Sequence, residues 1–147
     1  MQNDEGQSQQ SIHHIVYCSQ AVQHMDQDAL EKIIATARHQ NPRFGITGLL
    51  VFGSGIFFQW LEGPRDNVTS LFKIISADHR HTDVVLITKE DEFRERLFPN
   101  WDMELVAAED ISAVLEDAMH EASDPKQKNT LSKLLQELQK RSLGNSR

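Results

Sequence analysis

The stretch ITGLLVFGSGIFFQWLEGP, residues 46–64, decides how the rest of the chain must be organised. Two apolar runs, Ile46 to Phe52 and Ile56 to Leu61, are separated only by Gly53-Ser54-Gly55. A glycine-bearing link this short between strand-like runs reads as a β-hairpin. Glu62-Gly63-Pro64 then breaks the pattern. A helical segment flanks the hairpin on each side. Upstream, Leu30, Ile33, Ile34 and Ala37 follow the i, i+3, i+4, i+7 spacing of a one-faced helix. Asp26 is placed to cap it, and Met25 and Leu30 are spaced as a hydrophobic staple. Asn41-Pro42 ends it, because the residue before proline avoids the helical region. Downstream, Val68, Leu71, Phe72 and Ile75 repeat the amphipathic spacing.

Further out, Ile12 to Ser19 reads as a first strand, with Ile15, Tyr17 and Ser19 on one face and His14, Val16 and Cys18 on the other. Val84 to Thr88 reads as a fourth strand, and the charged stretch Lys89 to Arg96 as a loop or helical turn. Trp101, Met103 and Leu105 alternate as a fifth, edge strand would. The order β-α-β-β-α-β plus one strand is the ferredoxin-like α+β pattern. The handedness rule puts both crossover helices on one face of the sheet. The other face, with Phe58 and Trp60, then needs a cover. Ile111, Val114, Leu115 and Ala118 form one apolar stripe. Leu131, Leu134, Leu135 and Leu138 form another, after an Asp124-Pro125 start. These read as a C-terminal two-helix extension folded onto the free face. The expected division is a polar, disordered tail (1–11), a domain (12–106) and a helical hairpin (107–147).

A chain of 147 residues suits one core. Apolar and charged fractions of 39% and 25% are those of a globular protein. No apolar run approaches the roughly 20 residues of a membrane span. The first eleven residues carry no secretory pattern, and Cys18 is the single cysteine, so a cytoplasmic location is expected. The net charge of −7, without a cluster of Lys and Arg, argues against direct nucleic-acid binding.

No Walker loop, GxGxxG, nucleophile elbow or helical HExxH is present. His13-His14 and His79-Arg80-His81 invite a metal reading, but strand neighbours such as His13 and His14 point to opposite faces. The informative residues are polar groups set in apolar strands. Gln59 shares its face with Phe57 and Leu61, and a buried amide needs partners for both oxygen and nitrogen. Leaving either unmade costs about 1–3 kcal/mol. Tyr17, the single tyrosine, would by itself be an ordinary core residue with a polar tip. With Gln59 and Asn41, it forms a polar set beside the two helices on one side of the sheet.

Five segments carry a resemblance: Tyr17-Cys18-Ser19, Asn41 to Gly48, Phe58 to Gly63, Asp78-His79-Arg80-His81 and Phe98 to Met103. In this order and at these intervals they resemble the successive motifs of a BLUF domain (blue light using FAD). The resemblance implies a non-enzymatic, bacterial blue-light photoreceptor holding FAD, with FMN as the alternative. Ile33 and Ile75 match positions that sandwich the flavin ring. Asn41 matches a contact to its pyrimidine edge, and Arg80 and His81 match ring-edge contacts. Tyr17 and Gln59 match the light-reactive pair, whose hydrogen bonds rearrange on excitation. Trp101 and Met103 match the residues that relay the change, which this strand and the C-terminal helices would pass on to a partner. On an alternating strand these two would face the same side and compete for one pocket. Cys18, pointing away from Tyr17, is expected to be a passive core thiol.

The resemblance stops near Val106, and residues 107–147 contain no recognisable output enzyme. That pattern resembles the short, stand-alone members, which act through a separate, unidentified downstream protein or through homo-oligomeric assembly. A flavin-dependent redox enzyme of ferredoxin-like fold and a flavin-free interaction module are the competing readings.

Overall fold

The computed structural model describes residues 10–22 and 25–140. Most of the expected tail therefore lies outside the described residues, but Gln10 and Ser11 already belong to the first strand. The chain runs β1 (Gln10–Ala21), α1 (Gln27–Gln40), β2 (Thr47–Gly53), β3 (Ile56–Gly63), α2 (Arg65–Ser76), β4 (His81–Arg94), β5 (Glu104–Ala107), α3 (Ile111–Glu121) and α4 (Pro125–Lys140). The sheet order is β4-β1-β3-β2-β5, antiparallel except for the parallel pair β2–β5. This is the expected ferredoxin-like arrangement with one added edge strand. No helix among the described residues is long and apolar enough to cross a membrane.

Local chemistry explains the elements. The Asp26 carboxylate accepts from the Ala29 amide at 2.9 Å and starts α1. The β2–β3 turn holds Ser54 at φ 53° and Gly55 at φ 77°. Two left-handed residues in succession make the turn that matches strand twist in a tight hairpin. At Gly48, an added Cβ would lie 1.9 Å from the Trp60 carbonyl oxygen, so only glycine lets β2 approach β3 there.

The two faces of the sheet build two cores. Ile15, Leu50, Phe57 and Leu61 pack under α1 and α2 with Leu30, Ile34 and Val68. Val16, Leu49, Val51, Phe58 and Trp60 pack on the opposite face against Ile111, Leu115, Leu131, Leu134 and Leu138 of α3 and α4. The C-terminal leucine stripes thus cover the face that carries Phe58 and Trp60.

Two expectations need correction. The charged stretch after Thr88 is no loop: β4 continues to Arg94, paired with β1 through His13↔Asp91, Ile12↔Glu92 and Gln10↔Arg94. Its charged residues show no apolar alternation, but they suit an edge strand. The fifth strand, in turn, starts only at Glu104. The Trp101 carbonyl accepts from Gly48 N at 2.9 Å, and those of Asp102 and Met103 accept from Asn41 Nδ2 and Arg38 Nε, each at 2.9 Å. Partners from β2 and from the C-terminal end of α1 thus satisfy this backbone in place of a ladder. Trp101 and Met103 therefore do not share a face. Trp101 stacks on Phe98, centroids 5.1 Å apart, beside the core under α3 and α4, whereas Met103 is buried in the core under α1 and α2.

Candidate functional site

The β1–β3 register sets Tyr17 directly opposite Gln59, and the β2–β3 register sets Leu50 on its other side. Residues directly opposite on one sheet face are in side-chain contact, so the pairing itself brings the phenol to the amide. The Tyr17 hydroxyl donates to Gln59 Oε1 in a short hydrogen bond. Gln59 Nε2 donates to Met103 Sδ at 3.3 Å. Both residues are buried, Tyr17 to 3% exposure and Gln59 to 6%. Burial, seconded by the negative charge of Asp78, pushes the Tyr17 phenol well above its ordinary pKa. The hydroxyl therefore stays a proton donor at any physiological pH.

Above this pair α1 and α2 leave a cleft of about 620 Å³. Ile33 of α1 and Ile75 of α2 line its walls, and Tyr17, Gln59 and Asn41 are its polar groups near the sheet. Arg80, Asp78 and His81 line the end beyond the C-terminus of α2. The Asp78 carboxyl is lowered to about 2, chiefly by the Arg80 side-chain hydrogen bond at 3.0 Å, with burial opposing. His81 bridges Ser19 Oγ through Nδ1 and the Ile75 carbonyl through Nε2, both at 2.6 Å. It thereby ties α2 to β1. One cleft thus gathers seven of the nine residues singled out in the sequence. Met103 reaches the pair from below through Gln59, and Trp101 stands on the other side of the sheet. An apolar slot of this size with a few convergent polar groups is the form of a small-molecule or cofactor site.

Cys18 lies on the face opposite the cleft, packed against the C-terminal core. His13 and His14 do point to opposite faces: His13 Nδ1 bonds Asp91 at 2.8 Å, and His14 stacks on Trp60 at 4.4 Å. His14, Glu90 and Glu92 bring potential metal donors within 4.8 Å of one another. The Arg94 guanidinium, bonded to His14 Nδ1 and Glu92, already supplies the positive charge there and disfavours an ion.

Arg38, Glu62 and Arg94 escaped the sequence reading. Glu62 closes an apolar strand as Gln59 interrupts one, and that signal was available. Arg38 sits on a polar helix face and Arg94 in a charged run, where nothing distinguishes either from a solvated residue.

Comparison with known proteins follows the same line. The sequence profile of BLUF, described as sensors of blue-light using FAD, matches residues 12–104. The photoactivated adenylate cyclase subunit beta of Euglena longa is 40% identical over 85 residues, which are 58% of this chain and 10% of that protein. The chain thus spans about a tenth of the length of that curated relative. Among solved structures, the dark state of BlrB, a BLUF protein, superposes with a TM-score of 0.66 at 30% identity. The match covers 87% of this chain and 98% of that one. Klebsiella pneumoniae BlrP1 with FMN and cyclic diGMP gives a TM-score of 0.68 at 28% identity, over 84% of this chain and 34% of that one. A profile matched across the sheet and both of its crossover helices shows that the chain belongs to the BLUF family, the sensors of blue light using FAD.

Proposed function

We propose that this chain is a photosensor in which Gln59 is the switch, Tyr17 its proton and electron donor, and Met103 the first residue to feel the change. The observation that supports this most directly is the position of Gln59. Its oxygen faces Tyr17 and its nitrogen faces Met103, so both ends of the amide are engaged beside the cleft. The residues fit a flavin: Ile33 and Ile75 would hold the ring faces, Asn41 its pyrimidine edge, and Arg80 and His81 sit at the ring-edge end. When bound, the flavin supplies the absorption of blue light and an acceptor for one electron and one proton. With the flavin bound, Tyr17 would be the group placed to give up that electron and its Oη proton, and to recover both once the Gln59 amide has rearranged. An amide turned end for end presents Nε2 where Oε1 was, and the hydrogen-bond pattern changes with no movement of the backbone. The turned amide also aims its oxygen at the Met103 sulfur. Sulfur is a weak acceptor and no donor there, so the contact is lost and the Met103 side chain is freed to repack.

FAD is the cofactor named in the family's description, and FMN is held by the BlrP1 structure; the apolar slot around the ring suits either. We read the domain as a sensor acting on a downstream effector, in keeping with the sensory description of the family and the cyclase named in the Euglena relative. That effector is an unidentified protein or a second copy of the chain. The net charge of −7 without a cluster of Lys and Arg argues against direct nucleic-acid binding, and we place the protein in the cytoplasm. Purified protein loaded with flavin is expected to be yellow and to show a red-shifted absorption band after blue light that reverses in the dark. Flavin uptake without photochromism would overturn the sensor reading in favour of a redox flavoprotein, and no flavin uptake at all would favour an interaction module.

A further inference from the structure

Glu62 and Arg94 are both completely buried, on the sheet face opposite the cleft. Two charges taken out of water are tolerated only when they are paired and their remaining hydrogen-bonding groups are satisfied. Here they are, and the partners form a continuous chain. Glu62 Oε1 accepts from Arg94 Nη1 at 3.0 Å, and Glu62 Oε2 accepts from the Phe98 amide at 2.9 Å. Arg94 Nε donates to Glu92 at 2.5 Å, and its Nη2 lies 3.0 Å from His14 Nδ1. The Glu92 carboxylate accepts from Thr130 Oγ1 of α4 at 3.0 and 3.2 Å. Two further bonds fix the start of the same helix to this strand end: Gln127 Nε2 to the Arg96 carbonyl at 2.9 Å and Lys126 Nζ to the Phe93 carbonyl at 3.0 Å.

One end of this chain holds the Phe98–Met103 segment; the other holds α4. The segment is pinned at Phe98 by Glu62, at the Met103 side chain by Gln59, and at the Trp101, Asp102 and Met103 carbonyls by Gly48, Asn41 and Arg38. When the Met103 side chain repacks, Phe98 N remains tied to the fully buried Glu62 carboxylate. Losing that bond would leave Glu62 Oε2 with only the 3.5 Å contact from Thr47 Oγ1, so the carboxylate is held to the amide when the segment shifts. Arg94 follows for the same reason, and Glu92 Oε1 accepts from both Arg94 Nε and Thr130 Oγ1.

We propose that Glu62, Arg94 and Glu92 are positioning residues that couple α4 to the Gln59 switch, with Thr130 as the contact through which the helix feels it. This rests on the photosensor reading above and adds the route by which the C-terminal helix responds.

The test is hydrogen exchange of the α4 amides in flavin-loaded protein, dark and under blue light, with the absorption spectrum recorded in parallel. Thr130→Val keeps the volume and removes the hydroxyl; Thr130→Ser keeps the hydroxyl. The unmodified protein should show a light-dependent change in α4 protection. Thr130→Val should keep the full red shift while that change falls at least several-fold, and Thr130→Ser should restore it. Glu92→Gln, which keeps an acceptor but loses the charge, should also weaken it if Thr130→Val disturbs the helix in the dark. An undiminished α4 response in Thr130→Val and Glu92→Gln would overturn the coupling. So would a normal red shift with no α4 response in the unmodified protein. Absence of the red shift in the unmodified protein would instead overturn the photosensor reading itself.

Discussion

Tyr17 and Gln59 illustrate what single residues disclose. A tyrosine and a glutamine embedded in apolar strands stand out because each must find a hydrogen-bond partner once buried, and strand register makes them each other's partner. Tyr17→Phe removes the hydroxyl and keeps the ring, so the flavin should bind with near-normal affinity while the reversible red shift disappears; the check is a spectrum before and after illumination. His14 makes a prediction of a different kind. It is buried against Trp60, faces Arg94, Glu90 and Glu92, and neighbours His13 and Asp91. Desolvation, then the Arg94 charge, lower its pKa to about 4. The folded state therefore resists a proton that the unfolded chain takes up near pH 6.5. Stability is unaffected above that value and declines as pH falls toward 4, by on the order of 2 kcal/mol between pH 7 and pH 5. Thermal melts at the two pH values should show a smaller loss in His14→Gln, and an equal loss would show that another group titrates. Arg94 was hidden for the opposite reason: a charged residue in a charged stretch looks solvated, and only the third dimension links it through Glu92 to Thr130 of α4.

At the scale of elements, periodicity served where one face is apolar. The hairpin, α1, α2 and both C-terminal stripes were legible because each buries a continuous apolar face. It failed at the two edges of the sheet. The end of β4 is held by backbone pairing to β1 and by charge pairs, which leave no alternation to read. The residues before β5 alternate without forming a strand, because Arg38, Asn41 and Gly48 take their carbonyls. The C-terminal helices carry the clearest prediction about stability. Leu115 is fully buried between α3 and the sheet core, and Leu115→Ala should cost about 2–5 kcal/mol in chemical denaturation. Truncation after Val106 removes five buried aliphatic side chains of α3 and α4 and bares Phe58 and Trp60. At about 1.5–3 kcal/mol for each buried side chain, the shortened chain should aggregate or melt far below its parent. A soluble truncation with unchanged melting temperature would assign these helices to a partner surface.

The whole molecule is one sheet working on two sides. The cleft face offers the slot and the hydrogen-bonded pair; the other face carries the core and the buried ionic chain that meet α4. Gln59 and Trp60, neighbours on one strand, point to these two sides, and the Phe98–Met103 segment touches both. The account therefore turns on the Gln59 amide. Leucine at this position has a similar volume and keeps the apolar contacts, but it has neither donor nor acceptor. The decisive measurement is a light-minus-dark difference spectrum of flavin-loaded Gln59→Leu. The account predicts bound flavin, a nearly unchanged dark spectrum and no reversible red shift, whereas a normal reversible red shift in Gln59→Leu would contradict it.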